Sequence, residues 1–109
     1  MFRDDSQISQ ACKVLLNTIR KGELWESRPT EEAIRLYRAN GGYLSSGERA
    51  MLFAAFAIWN ADNDKAKLGV LVNRLDLDKQ RALWSLLLAQ ATENDNGATI
   101  DAWIAKYSR

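Results

Sequence analysis

Apolar residues recur at helical spacing from Ile8 to Tyr107, and the polar residues between them fall into short breaks with capping and turn chemistry. The first stripe is Ile8, Ala11, Cys12, Leu15, Leu16 and Ile19, which leaves Val14 outside it. Ser6 is positioned to cap this helix, which is expected to run to about Lys21, with Gly22 as its left-handed stop. Glu23 to Arg28 holds at most one turn, because Pro29 disfavours the helical conformation at the residue before it. A second helix begins at Thr30, turns Ala33, Ile34, Leu36 and Tyr37 inward, and ends at Asn40-Gly41-Gly42, where positive φ is tolerated. Its outward face carries Arg35 and Arg38, with Glu31 to Arg35 in the favoured i, i+4 charge order.

The third helix determines the architecture. Ser45 and Glu48 stand in capping-box register, and from Ala50 to Trp59 no side chain is polar on any face. A helix apolar all round must be enclosed by others. A shorter helix follows from about Lys65 to Leu75, with Leu68, Leu71, Val72 and Leu75 on one face. Asp76 caps a fifth, about Leu77 to Thr92, whose expected buried stripe is Leu77, Leu83, Trp84, Leu87, Leu88 and Ala91, with Leu86 at its edge. The last, about Ala98 to Tyr107, docks through Ile100, Trp103, Ile104 and Tyr107. No run alternates apolar and polar as a half-buried strand does. The expected fold is all-α: one domain over residues 1–109, a compact bundle of five to six helices around a central hydrophobic helix at about Ser46–Trp59.

Composition agrees with that picture and narrows the function. With 47% hydrophobic and 27% charged residues the chain is an ordinary globular one, and 109 residues suffice for one core. The longest apolar run, Ala50 to Trp59, is about half of what a membrane-spanning helix needs. Fifteen basic and fourteen acidic residues are interleaved, giving a net charge of +1. The pI of about 7.8 argues against a domain held on nucleic acid by counterion release. The single Cys12 closes no intramolecular disulfide, and the first residues lack the basic and apolar regions of a signal peptide, so a cytoplasmic protein is expected.

Catalytic apparatus is sparse. There is no histidine, which removes the commonest acid-base group near neutral pH and the commonest transition-metal ligand. Cys12 falls among aliphatic residues, where a thiol is inert. Asn60, Asp62 and Asp64 repeat the opening of a calcium loop, but the glycine position holds Lys65 and the closing carboxylate position holds Leu71. The acid-rich Glu93 to Gly97 stretch reads as a turn, and Asp76 and Asp78 read as first-turn acids favoured by the helix dipole. No phosphate loop, nucleophile elbow or Cys-x-x-Cys occurs. No cofactor, no metal and no enzymatic activity are expected.

The sequence therefore favours a non-enzymatic protein-interaction module: a small adaptor, regulator or inhibitor, or an accessory subunit, of the size common among bacterial and phage accessory proteins. Trp25, Arg28, Arg38 and Tyr43, in and around the two connectors, are the expected partner-binding patch, since aromatic and Arg residues dominate interface hot spots. The competing expectation for Trp25 is that it folds back over the bundle. Self-association is a version of the same idea, drawing on Val14, Val70 and Leu86. The alternative from another class is a helix-turn-helix-like nucleic-acid-binding regulator using the helix pair 65–92, with Lys79 and Arg81 near the start of its second helix. An enzyme working through carboxylates, Lys or Tyr alone is the third reading.

Overall fold

Thr30 and Ser45 show most directly how the sequence sets its helix boundaries. In the computed structural model, which describes residues 5–61, 64–92 and 95–108, the Thr30 hydroxyl accepts the Ala33 amide at 3.1 Å and opens the second helix. The Ser45 hydroxyl accepts the Glu48 amide at 3.2 Å, while the Glu48 carboxylate accepts the Ser45 amide at 2.9 Å, closing the capping box. The helices are α1 (Asp5–Asn17), α2 (Glu31–Arg38), α3 (Ser46–Asn60), α4 (Leu68–Arg74), α5 (Leu77–Ala91) and α6 (Ala98–Tyr107), with a 3-10 turn at Gly22–Leu24. Among the described residues there is no strand, only an isolated bridge between Trp25 and Pro29.

Residues Ala50 to Phe56 of α3 are all buried, and α1, α2 and α4 lie against it. A second layer forms where α6 docks on both α1 and α5. The radius of gyration is 12.9 Å, against about 13 Å for a compact chain of this length. The chain is an all-α globule with α3 at its centre, and no described helix is long and apolar enough to cross a membrane.

Helix ends depart from expectation at three places, one of them α4, which starts at Leu68 instead of about Lys65. The first helix stops at Asn17 instead of about Lys21, and Arg20, not Gly22, takes the left-handed conformation, with φ of 62°. The Lys21 amide donates to the Leu16 carbonyl at 2.9 Å and the Arg20 amide to the Asn17 carbonyl at 3.0 Å, the bond pair of a Schellman stop. Gly22 lies close to the Asn17 side chain: a β-carbon there would meet Asn17 Oδ1 at 1.7 Å unless that exposed side chain rotated away. Asp76 occupies the N-cap position of α5, but its side chain makes no capping hydrogen bond.

Burial departs from expectation on α1, α4 and α5. Val14 and Leu86, expected outside the core or at its edge, are buried. On α5 the buried face is Ala82, Leu83, Leu86, Ala89 and Gln90, whereas Leu77, Leu87, Leu88 and Ala91 are exposed. The cause is α6. Trp103 donates its indole N–H to the Ala82 carbonyl at 2.9 Å and approaches Ser85 Oγ at 3.1 Å, a close contact that the small side chains at 82 and 85 admit. On α4 only Leu71 is buried, together with Leu75 just beyond its end, and Leu68 and Val72 face outward.

Asp95 holds the start of α6. Its carboxylate accepts the amides of Gly97 at 3.1 Å and Thr99 at 3.0 Å and the Thr99 hydroxyl, and these bonds hold it below the ordinary carboxylate range. A depressed folded-state pKa contributes stability that is present above the ordinary value of 3.8 and is lost as pH falls through the lower folded value. Acid titration followed by circular dichroism is therefore expected to show α6 loosening below that pH, and Asp95→Asn to remove this component of the pH dependence.

Candidate interaction surfaces

The sequence nominates Trp25, Arg28, Arg38 and Tyr43 as one patch, and the structure brings two of them together. Arg28, from the connector, and Arg38, from the last turn of α2, line one groove of about 640 Å3 with Glu31, Ile34, Arg35 and Ala39. Helical spacing explains the set, because residues 31, 35 and 38 share the outer face of α2, and the bend before Pro29, closed by the Glu26 amide donating to the Arg28 carbonyl at 2.9 Å, carries Arg28 alongside. Arg35 is held by Glu32 in a two-pronged pair at 2.8 and 2.7 Å, which replaces the expected pairing with Glu31. Arg28 and Arg38 are exposed and form no ion pair among the described residues. Two uncompensated guanidinium groups thus face one free carboxylate, Glu31, over a half-buried aliphatic floor at Ile34. Glu31, Ile34, Arg35 and Ala39 are the groove residues outside the nominated patch; the helical register of 31 and 35 with Arg38 was the available signal.

Trp25 does not belong to this surface. Its ring is 0% exposed, edge-on to Phe56 at 5.5 Å and to Trp59 at 5.8 Å, and its indole N–H donates to Ser9 Oγ at 2.8 Å. The connector is drawn inward because Lys13 donates to the carbonyls of Gly22 at 3.0 Å and Trp25 at 2.7 Å, and Ser9 donates to the Ser27 carbonyl. Tyr43 is 65% exposed but stands apart from the groove, with Lys21 Nζ 5.7 Å from its ring centre.

Lys79 and Arg81, the nucleic-acid candidates, are not brought together. Two residues apart on a helix of about 3.6 residues per turn, they point to nearly opposite sides. Lys79 is paired with Asp78 at 2.9 Å, which holds the Asp78 carboxyl below its usual range, while Arg81 is exposed without an ion pair. The outward side of α5 around Arg81 is apolar. Leu77, Leu87 and Leu88 of α5 and Leu68 and Val72 of α4 are exposed, and Leu68 and Leu87 line a groove of about 440 Å3 together with Ile58, Leu83 and Trp84.

No cluster of three metal-capable side chains occurs among the described residues, and Asp62, Glu93 and Asn94 of the two acid-bearing loops lie outside them. Lys65, at the glycine position of the calcium-like pattern, donates to the Tyr37 carbonyl and sits 4.5 Å from the Tyr37 ring centre. Cys12 is enclosed, with Sγ 3.5 Å from the Ala55 carbonyl, and burial pushes its thiol up to about 12. No protein-family model, no curated protein and no solved structure matches the chain.

Two outcomes follow from this burial. Trp25→Ala is expected to lower the unfolding free energy by about 3–5 kcal/mol, the range for truncating a large buried aromatic, as measured by urea denaturation. Iodoacetamide is expected to leave Cys12 unmodified in the folded protein across pH 7 to 9 and to label it once urea unfolds the chain.

Proposed function

We propose that the protein is a non-enzymatic interaction module, an intracellular adaptor, regulator, inhibitor or accessory subunit, whose α2 groove receives an acidic segment of a protein partner. The observation that carries this reading is the pair of exposed, uncompensated guanidinium groups of Arg28 and Arg38 on one groove with an aliphatic floor. Arg presents a planar fork that matches carboxylates, and Ile34 between the two arginines offers apolar contact to the stem of an acidic side chain. The lack of histidine and the enclosure of the one thiol support a binding role over a catalytic one. The lone buried thiol also fits a reducing, cytoplasmic setting.

A nucleic-acid role for residues 65–92 has weaker support, because the α5 surface around Arg81 offers leucines where a reading helix needs phosphate and base contacts. Affinity capture from the native cell extract discriminates the two. A partner that survives nuclease, is lost with Arg28→Glu/Arg38→Glu and is kept with Arg81→Glu is the expected result. Recovery that collapses with nuclease, or that depends on Arg81 and ignores the α2 pair, would sink the proposal.

A further inference from the structure

The α4–α5 face poses a separate question, independent of the α2 groove. Leu68, Leu77 and Leu88 are 71%, 64% and 72% exposed, and Val72 and Leu87 add smaller shares. Together these side chains expose the equivalent of about three whole leucines, on the order of the 300–600 Å2 that marks the largest apolar patch of a monomer. A standard interface covers about 800 Å2 per partner, of which roughly 60% is apolar. The face therefore has the size of one half of a dimer interface once its polar rim at Lys67, Arg74 and Asp78 is included.

The order of residues along α5 says what fits it. Leu77, Arg81, Trp84 and Leu88 follow one another at intervals of four, three and four, so the outer stripe reads the same from either end in position, and nearly so in chemistry. An antiparallel two-fold axis placed between residues 82 and 83 sets Leu77 against Leu88 of a second copy and Arg81 against the second copy's Trp84. Arg81 is the one charged residue on this stripe and has no ion pair among the described residues. Trp84 is half-buried at the edge of the groove, with its indole N–H 3.3 Å from Gln80 Oε1. A guanidinium laid on an indole face is a favourable partner for both. The two-fold also keeps the α4 helices on the same side, adding Leu68 and Val72 from each copy, and holds the Asp78 carboxylates about nine residues, some 13 Å, apart along the axis.

We propose that the protein forms a symmetric dimer through antiparallel apposition of its α5 helices, flanked by α4. Of the residues expected to feed self-association, Val14 and Leu86 lie in the core, and Val70 is 37% exposed on α4.

Sedimentation equilibrium over micromolar to millimolar protein, joined to site-directed cross-linking, tests it. The wild type is expected to be dimeric. Leu77→Glu and Leu88→Glu are expected to be monomeric with unchanged helical circular dichroism, since both side chains are already largely exposed. Arg81→Ala is expected to weaken the dimer about five- to thirtyfold through loss of two symmetry-related cation–π contacts. A short bis-maleimide is expected to couple Leu77→Cys/Leu88→Cys into a covalent dimer. It should leave each single-cysteine variant uncoupled, because like positions are about 16 Å apart along the axis. Buried Cys12 does not interfere. A wild type that stays monomeric to millimolar concentration overturns the proposal, as does a dimer that survives both glutamate variants or cross-links through a single cysteine.

Discussion

Everything in this fold follows from the need to keep water from Ala50 to Phe56 of α3, a stretch with no polar side chain to offer it. One neighbouring helix cannot do that, since each covers only a stripe. The chain answers with α1, α2 and α4 around α3, and closes the remaining arc with Trp25, which the connector between α1 and α2 folds onto Phe56 and Trp59. Tyr37 completes the cluster, stacked on Phe56 at 4.2 Å. The connector turns Leu24 and Trp25 inward to this duty and leaves Glu23, Glu26, Ser27 and Arg28 to solvent, Arg28 beside α2. The position of the α2 groove is thus a by-product of how α3 is covered.

Much of this was legible in the sequence, and the reasons are local. Thr30, Ser45 with Glu48, and the Asn40-Gly41-Gly42 stop act through bonds within a few residues of themselves, so their outcome is written in adjacent letters. The continuous apolar run of α3 has no surface to choose and could only be central. By contrast, α5 carries leucines on nearly every side, and periodicity could not say which would be buried. The choice was made by Trp103, a residue on another helix, whose indole N–H meets the Ala82 carbonyl and Ser85 Oγ. The stop at Arg20 escaped notice because glycine, here Gly22 two residues on, is the usual bearer of positive φ.

The candidate site shows the same division. That Arg35 and Arg38 face outward could be read from helical phase, but that Arg28 joins them depends on the bend over residues 26–28 that the Trp25–Pro29 bridge closes. Trp25 illustrates the opposite case: a large aromatic in a polar connector has the composition of a hot spot, and its donor bond to buried Ser9 is what fixes it inside. A serine on the core side of α1 was a clue that some donor had to meet it.

The shallow seating of α4 has a dynamic consequence. Seven residues are too few for a helix to persist by itself, so α4 is held chiefly through Leu71 and Leu75 against α3, while the α3 amides lie in the deepest part of the globule. Its amides are therefore placed to exchange with solvent through local opening, long before those of α3, which open only with the whole chain. Whatever settles on the neighbouring leucines slows that local opening first. The exchange rate of one short helix becomes a built-in gauge of whether the surface beside it is occupied.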